Sequence, residues 1–517
     1  MAHSGHIPHP GGVRQALAAN RLGLWSLVFL IISAAAPLTV VAGGATAGFA
    51  VTGLVGLPVT YLASVVLLAL FAVGWVDMAT RIPNAGAFYA YIRHGYAAGG
   101  GETLGRVVGL AAAGVALLAY NALQIGLIAG LGAVTSSWLQ TRFGIEVAWW
   151  LLALLGISVI GAMGVARIDF SGRVLAVLLT AETTVVVIID ALAVTHPADG
   201  TVSLTTLNPS HLVATGIGAA LAICITGFVG CEAAAVFAEE VRDRERTVRH
   251  AVTLALLITG IVYAGSTWAL TVYTGPDNII DAAAADPAGL FIGIGAVYLG
   301  TLFADLANLL FITSLFAAAL AYHNTVARYL FSLGRERALP LVAVGLGRTN
   351  RSGAPRNASL TQTALAVSTV VVWSLLGWDP LLQLFFAGTV LGGTGVVLLM
   401  ASTSFAVGLW FWRHGYSSRW RHLVAPFTAG AALAVVSALI VDNFELLVGA
   451  PPEAQWPALL PGAYGMCVIG GVLWGLWLRH RRPDAFDVIG LGPVATRLGP
   501  MPVQAPTPAV TSREVGL

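Results

Sequence analysis

SAAAPLTVVAGG (residues 33–44) and TGFVG (226–230) each interrupt a long apolar run. Proline removes a backbone donor and blocks the carbonyl four residues back. Glycine lowers helix propensity by about 1 kcal/mol. With small neighbours on either side, Pro37, Gly43 and Gly44 in the first stretch and Gly227 and Gly230 in the second are expected to break a helix at mid-membrane. Either break alone reads equally as a kink or a close-packing contact. The pair says more. The breaks fall in the first and sixth apolar runs, five helices apart, and an odd separation means that the two runs enter the membrane from opposite sides. Runs one to five and six to ten then form inverted repeats, each opened by a broken helix. Paired interruptions of this kind point to a transporter binding site. Half-helix N-termini suit a carboxylate, and freed carbonyls suit an ammonium group or a cation. An amino acid carries both groups.

The composition around these breaks is that of a membrane protein. Charged residues make up 10% of the 517 and hydrophobic residues 57%, whereas an ordinary globular protein has roughly 25% charged residues. Secreted, nucleic-acid-binding and disordered proteins are excluded. Runs long enough to cross ~30 Å of hydrocarbon lie near 24–49, 54–76, 104–137, 147–166, 171–193, 212–238, 250–273, 296–333, 360–377, 381–409, 424–441 and 457–478. The fold class expected is therefore all-α and polytopic, with twelve transmembrane helices. The over-long third and eighth runs imply tilt or extension past the bilayer.

Arginine placement supports the count. All 26 basic residues are arginines, and with a cytoplasmic N-terminus every one except Arg142 falls on an inner segment. The positive-inside rule then places both termini in the cytoplasm. Expected outer loops carry acids, among them Asp277, Asp281, Asp286, Asp442 and Glu445. No cleavable signal peptide is visible, so the first run should itself insert. The organisation expected is a cytoplasmic segment 1–20, repeats over 21–195 and 212–410, two further helices within 420–480, and a disordered, proline-rich cytoplasmic tail over 483–517. Cys224, Cys231 and Cys467 lie in apolar runs without metal spacing and read as small hydrophobes. No metal or other cofactor is expected. Without lysine there is no P-loop, and no HExxH or GxSxG turn occurs, so the chain reads as neither an ATPase nor a membrane hydrolase.

Three further stretches carry a resemblance. RIPNAGAFYAYIRHG (81–95) is similar to a Pro-x-x-Gly-Gly-x-Tyr-x-Tyr pattern through Pro83, Gly86, Tyr89 and Tyr91, with Ala85 in place of a glycine. FVGCEAAAVFAEE (228–240) is similar to Phe-x-Gly-x-Glu followed by Glu-Glu. HNTVARYLFSLGRERALP (323–340) is similar to an Asn-x-x-x-Arg stretch that ends in Arg-x-x-x-x-Pro. Together with the spans, these resemble the amino acid–polyamine–organocation (APC) superfamily, over about residues 20–480. The resemblance implies the leucine-transporter fold of five plus five inverted repeats, followed here by two C-terminal helices. Thr226 stands where the family often has a gating aromatic, and Arg244 and Arg249 replace prolines that usually follow the Glu-Glu pair.

The resemblance implies that a substrate carboxylate meets N–H groups around Ser33, Ala34, Ala35 and Ala36. The amino group would meet carbonyls of span one and of Gly227, Phe228 and Val229, beside Thr226. Phe228 reads as a wall of the site or as core. Asn121 and Gln124 read as substrate-facing groups or interhelical glue. Glu232 reads either as a gating or proton-linked acid or as a structural cap on loose backbone. Glu182 lies where some proton-coupled relatives carry a lysine that replaces a sodium ion, and it reads as a titrating or cation-binding group or as a protonated packing residue. Thr313 and Ser314 either complete a cation site or bond their own helix. His323 reads as structural, and Asp305 as a vestibule residue. The function expected is an amino acid permease of the cell membrane, coupled to protons, possible sodium or exchange. The alternatives are a polyamine or organic-amine carrier and a nutrient receptor that does not transport.

Overall fold

The computed structural model describes residues 17, 19–166, 168–287, 289–339, 345–451 and 453–496, with the backbone alone at 168–172 and 496. Most of the expected segment 1–20, the tail beyond 496, and Arg14, Arg167, Pro340, Arg497 and Arg513 lie outside these residues.

The described residues are helical, with a β-bridge between Leu22 and Val241. The first run divides into α1 (Leu24–Ala35), α2 (Pro37–Thr39), a π-helical stretch (Val40–Ala45) and α3 (Thr46–Thr52). It is followed by α4 (Leu57–Arg81), α5 (Phe88–Gly100), α6 (Glu102–Phe143), α7 (Trp149–Gly164) and α8 (Ile168–Thr195). The second half begins with α9 (Ile217–Gly227), α10 (Ala233–Val236) and α11 (Arg244–Thr274). Two short helices, α12 (Ile279–Ala285) and α13 (Leu290–Leu299), lead into α14 (Thr301–Arg335). Then come α15 (Arg356–Leu376), α16 (Ala387–His414), α17 (Ala425–Asp442), α18 (Phe444–Val448), α19 (Trp456–Leu459), α20 (Gly462–Arg481) and α21 (Pro483–Asp487).

Ten helices among the described residues are long and apolar enough to cross a membrane. The fourth and sixth expected runs appear as shorter apolar helices, Trp149–Gly164 and Ile217–Gly227. α9 is short because the TGFVG stretch stops it. α6 has 42 residues and α14 has 35, about 63 Å and 52 Å at 1.5 Å per residue, so both outrun the hydrocarbon core. The expected eighth run begins later than its apolar residues do, because Gly300 (φ 82°) separates α13 from α14.

α1 packs against α8, α11 and α14 around the first break, α8 also touches α11 and α14, and α6 lies along α5, α14, α16 and α20. One continuous buried core joins these helices. The segment after α20 departs from expectation. Residues 483–496 are not loose: Phe486 and Ile489 are buried, and the chain turns back onto α5 and the end of α14.

Candidate functional site

The first break is one residue wide. α1 ends at Ala35, Ala36 is left-handed (φ 47°, ψ 68°), and Pro37 restarts the helix. Proline suits that first position because its missing N–H would be orphaned there anyway. The Ala36 N–H turns back to the carbonyls of Ile32 (3.1 Å) and Ser33 (3.3 Å). The donors freed by the break are therefore those of the restarted helix, at Leu38 and Thr39. Ser33, Ala34 and Ala35 close α1 with their carbonyls, and Leu38 and Thr39 follow beyond Pro37.

The second break runs from Phe228 to Glu232, between α9 and α10. Gly230 has φ +122°, a conformation that side chains rarely adopt. A Cβ on Gly230 would lie 2.9 Å from the Ala34 carbonyl carbon and 2.9 Å from the Ala35 nitrogen. The two breaks are thus in backbone contact.

Aromatic rings wall this contact. Tyr61 of α4, Phe228 and Tyr263 of α11 are fully buried, with centroids 6.0 Å (Tyr61–Phe228), 5.5 Å (Tyr61–Tyr263) and 5.0 Å (Phe228–Tyr263) apart. Two tyrosines satisfy carbonyls at the breaks. Tyr263 donates to Ala35 O (3.0 Å), and Tyr322 of α14 donates to Val229 O (2.8 Å). Each carbonyl keeps a second lone pair. Glu232 fastens the second break: one oxygen accepts the Gly230 N–H (2.8 Å) and the other the Tyr120 hydroxyl of α6 (3.0 Å). That geometry is a clasp on loose backbone.

Of the other expected residues, Gly227 faces Val40 and Tyr61. The Thr226 hydroxyl bonds the Ala222 and Ile223 carbonyls of its own helix, both at 2.9 Å. Asn121 is turned away from the breaks. Its amide donates to Leu117 O (2.7 Å) and accepts from Gln362 of α15 (2.7 Å). Gln362 also bonds Gln124, which reaches His323 (3.2 Å), and His323 reaches Ser359 (2.8 Å). Asn121, Gln124 and His323 therefore tie α6, α14 and α15 together.

Glu182 of α8 is buried, and neither oxygen has a hydrogen-bond partner among the described residues. Its polar neighbour is Ser314 of α14, whose hydroxyl is also unpartnered. Ser33 and Thr39, on helices packed against α8 and α14, have free buried hydroxyls too. Thr313 instead bonds Leu310 O (3.0 Å). Among the described residues, no three His, Cys, Asp or Glu side chains converge as a metal site; the oxygens around Glu182 and Ser314 are hard donors of the kind a proton or alkali cation takes. Sequence reasoning passed over Asp190, two turns further along α8, which accepts from Ser266 of α11 (2.7 Å) and has its other oxygen buried and unpartnered. Asp305 pairs with Arg142 (2.7 Å).

Beyond the second break, the Glu-Glu motif pairs with arginines near the end of α14. Arg328 of α14 pairs with Glu240 (2.6 Å), and Arg335 grips Glu239 with two nitrogens (2.8 and 3.0 Å). Glu336 follows at the end of α14. It accepts from Tyr89, from Asn84 (3.1 Å) and from the N–H groups of Gly490 (2.8 Å) and Gly492 (2.6 Å). Burial pushes the Glu336 carboxyl above the usual range, against the pull of these donors and of Arg335. The motif residues Tyr89 and Glu336 thus hold α5, α14 and the segment after α20 in one knot.

Residues 26–467 match the amino acid permease family model. The chain is 25% identical over 359 residues to a branched-chain amino acid permease of Lactococcus lactis subsp. cremoris, covering 66% of this chain and 73% of that protein. It is 26% identical over 315 residues to an L-methionine/branched-chain amino acid exporter of Escherichia coli, covering 60% and 69%. An uncharacterized transporter of Mycobacterium tuberculosis is 27% identical over 338 residues, covering 62% and 67%.

Proposed function

The chain belongs to the amino acid permease family, and from that premise we propose that it is a secondary carrier of a neutral, aliphatic amino acid across the cell membrane. The observation that carries this reading is the contact between the breaks at Gly230 and Ala34–Ala35. There a substrate carboxylate meets the Leu38 and Thr39 N–H groups, and its ammonium group meets the free lone pairs of Ala35 O and Val229 O. The side chain meets Val40, Tyr61 and Phe228. Glu232, the acid beside the second break, is already engaged by Gly230 and Tyr120. An apolar wall without a free charge favours an uncharged side chain over a polyamine, in keeping with the printed names of the two characterised relatives.

Twelve spans in a five-plus-five inverted repeat, with both termini cytoplasmic, complete the proposal. The fourth and sixth runs count as spans, the sixth being broken, and the arginine asymmetry supports the orientation. Alternating access moves the first, second, sixth and seventh spans against the third, fourth, fifth and eighth to tenth. The Arg328–Glu240 and Arg335–Glu239 pairs close the inner side in this conformation. Glu182, with Ser314 and the Ser33 hydroxyl, is the group that takes up a proton, and this couples transport to a pH gradient. The same oxygens would take sodium if sodium were the coupling ion.

Ligand-induced thermal stabilisation of the purified protein tests the substrate class. L-Leucine or L-methionine should raise the melting temperature, whereas isopentylamine and isocaproate, each lacking one charged group, should not. Stabilisation by the amine alone overturns the carboxylate role of the first break.

A further inference from the structure

The chain has a second polar centre, remote from the breaks, where α4, α11, α16 and α17 meet near their arginine-rich ends. Asp77 of α4 is buried there, beside two arginines and a histidine. Arg249 of α11 approaches Oδ1 at 2.7 Å, Arg421 approaches Oδ2 at 3.2 Å, and His422 approaches Oδ2 at 3.0 Å. Gly74, one turn earlier on α4, allows the close approach, since a Cβ there would lie 3.1 Å from Arg421 O. His422 stacks on Phe411 (4.0 Å between centroids), and Arg81, the last residue of α4, lies 5.0 Å over the same ring. Arg81 makes no ion pair among the described residues.

The charge does not balance. One carboxylate is shared by Arg249 and Arg421, and Arg81 lies over the ring on which His422 stacks, so even a neutral His422 leaves these groups with an excess of two positive charges. The side chains of Arg249 and Arg421 remain about half exposed, at 51% and 42%, with guanidinium N–H groups beyond those that Asp77 takes. Trp412, Tyr416 and Trp420 stand exposed on the same stretch. Exposed Trp and Tyr at helix ends mark the headgroup level of a bilayer, and the apolar Val424 and Phe427 continue the surface below them.

We propose that Arg81, Arg249 and Arg421 form a binding site for the phosphate of an anionic phospholipid, with the acyl chains lying against α17. The forked guanidiniums match phosphate oxygens, the third arginine supplies charge that Asp77 does not cancel, and the aromatic fringe places the site at the bilayer edge. The occupant is a lipid because the exposed apolar flank beside the cations suits acyl chains, which a soluble phosphate lacks.

The test is native mass spectrometry of the detergent-solubilised full chain, with phosphatidylglycerol and phosphatidylcholine supplied together, alongside thermal melting in the same lipids. The wild type should retain phosphatidylglycerol preferentially and melt higher in it. Arg81→Gln should weaken that retention about fivefold, and Arg81→Gln with Arg421→Gln about twenty-five-fold, as for about fivefold per surface arginine. Arg81 makes no ion pair among the described residues, so its single substitution keeps the test valid if the double variant is unstable. Arg351→Gln, on another loop, should change nothing. Equal retention by Arg81→Gln and the wild type overturns the proposal, and so does an equal loss with Arg351→Gln, which would mean diffuse charge attraction. Displacement by inorganic phosphate alone, with no lipid preference, overturns the lipid assignment.

Discussion

Gly230→Ala should push the two breaks apart. The backbone there has φ +122°, and an added Cβ would sit 2.9 Å from the Ala34 carbonyl carbon, from the Ala34 Cβ and from the Ala35 nitrogen. Holding an alanine in so sparse a region costs about 1–3 kcal/mol. Forcing a methyl against packed backbone costs about 1–3 kcal/mol more. Restricting the unfolded chain returns about 0.4–1 kcal/mol. The net expectation is a destabilisation of about 1–6 kcal/mol, centred near 3. Gly44→Ala is the control. It lies in the other interrupted run, has no neighbour within 4 Å of its added Cβ and no positive φ, so it should be neutral or slightly stabilising. Melting of the two variants side by side in one detergent, with and without leucine, reads the difference. Gly230→Ala should melt lower and lose the leucine-induced rise, and Gly44→Ala should keep both. If Gly230→Ala melts with the wild type and still responds to leucine, the contact between the breaks is not what shapes the site.

Tyr120→Phe leaves one oxygen of Glu232 buried without its donor. It should lower stability by about 1–3 kcal/mol, measured by denaturant titration; no change would mean that the clasp does not hold the break. Glu182→Gln should abolish accumulation driven by a pH gradient while leaving exchange intact, as followed by radiolabel in vesicles. Retained pH-driven accumulation would remove Glu182 from the coupling. His94 provides a pH prediction outside the membrane. Burial, then the charge of Arg93, pushes it from 6.5 down to about 4. Arg93 donates to its Nδ1 (3.0 Å), so the neutral ring donates from Nε2 to Gly490 O (3.0 Å). The detached state binds the extra proton, so the contact is at full strength above pH 6.5 and weakens as pH falls towards 4. Protection factors of residues 486–492, with the intrinsic pH dependence of exchange divided out, should fall over that window in the wild type and stay level in His94→Gln; an identical profile in both would assign the effect elsewhere.

The backbone punctuation was legible in the sequence. Pro37 and Gly230 mark the breaks because proline and glycine are demanded by backbone geometry wherever it occurs. The side chains that complete the site were not legible. Tyr263 and Tyr322 cap carbonyls 228 and 93 residues away, and no local pattern announces such a partner. Asn121 shows how a polar residue at mid-helix misleads: its type suggests a polar contact, but helix phase alone does not say whether the breaks or α15 receives it. The stretch from Pro483 reads as a loose tail by its prolines, yet Gly490 and Gly492 supply N–H groups that the buried Glu336 needs. Asp190 drew no notice near the end of its run, and only packing reveals that one of its oxygens is sealed in without a partner among the described residues.

The most direct test of an amino acid carrier is counterflow. Proteoliposomes preloaded with unlabelled leucine, isoleucine, valine or methionine are offered a trace of the same labelled compound. Transient accumulation of the label, absent from empty vesicles and from vesicles loaded with isopentylamine, is the predicted result. Folded protein that binds these amino acids but shows no counterflow would contradict the carrier and leave a receptor in its place.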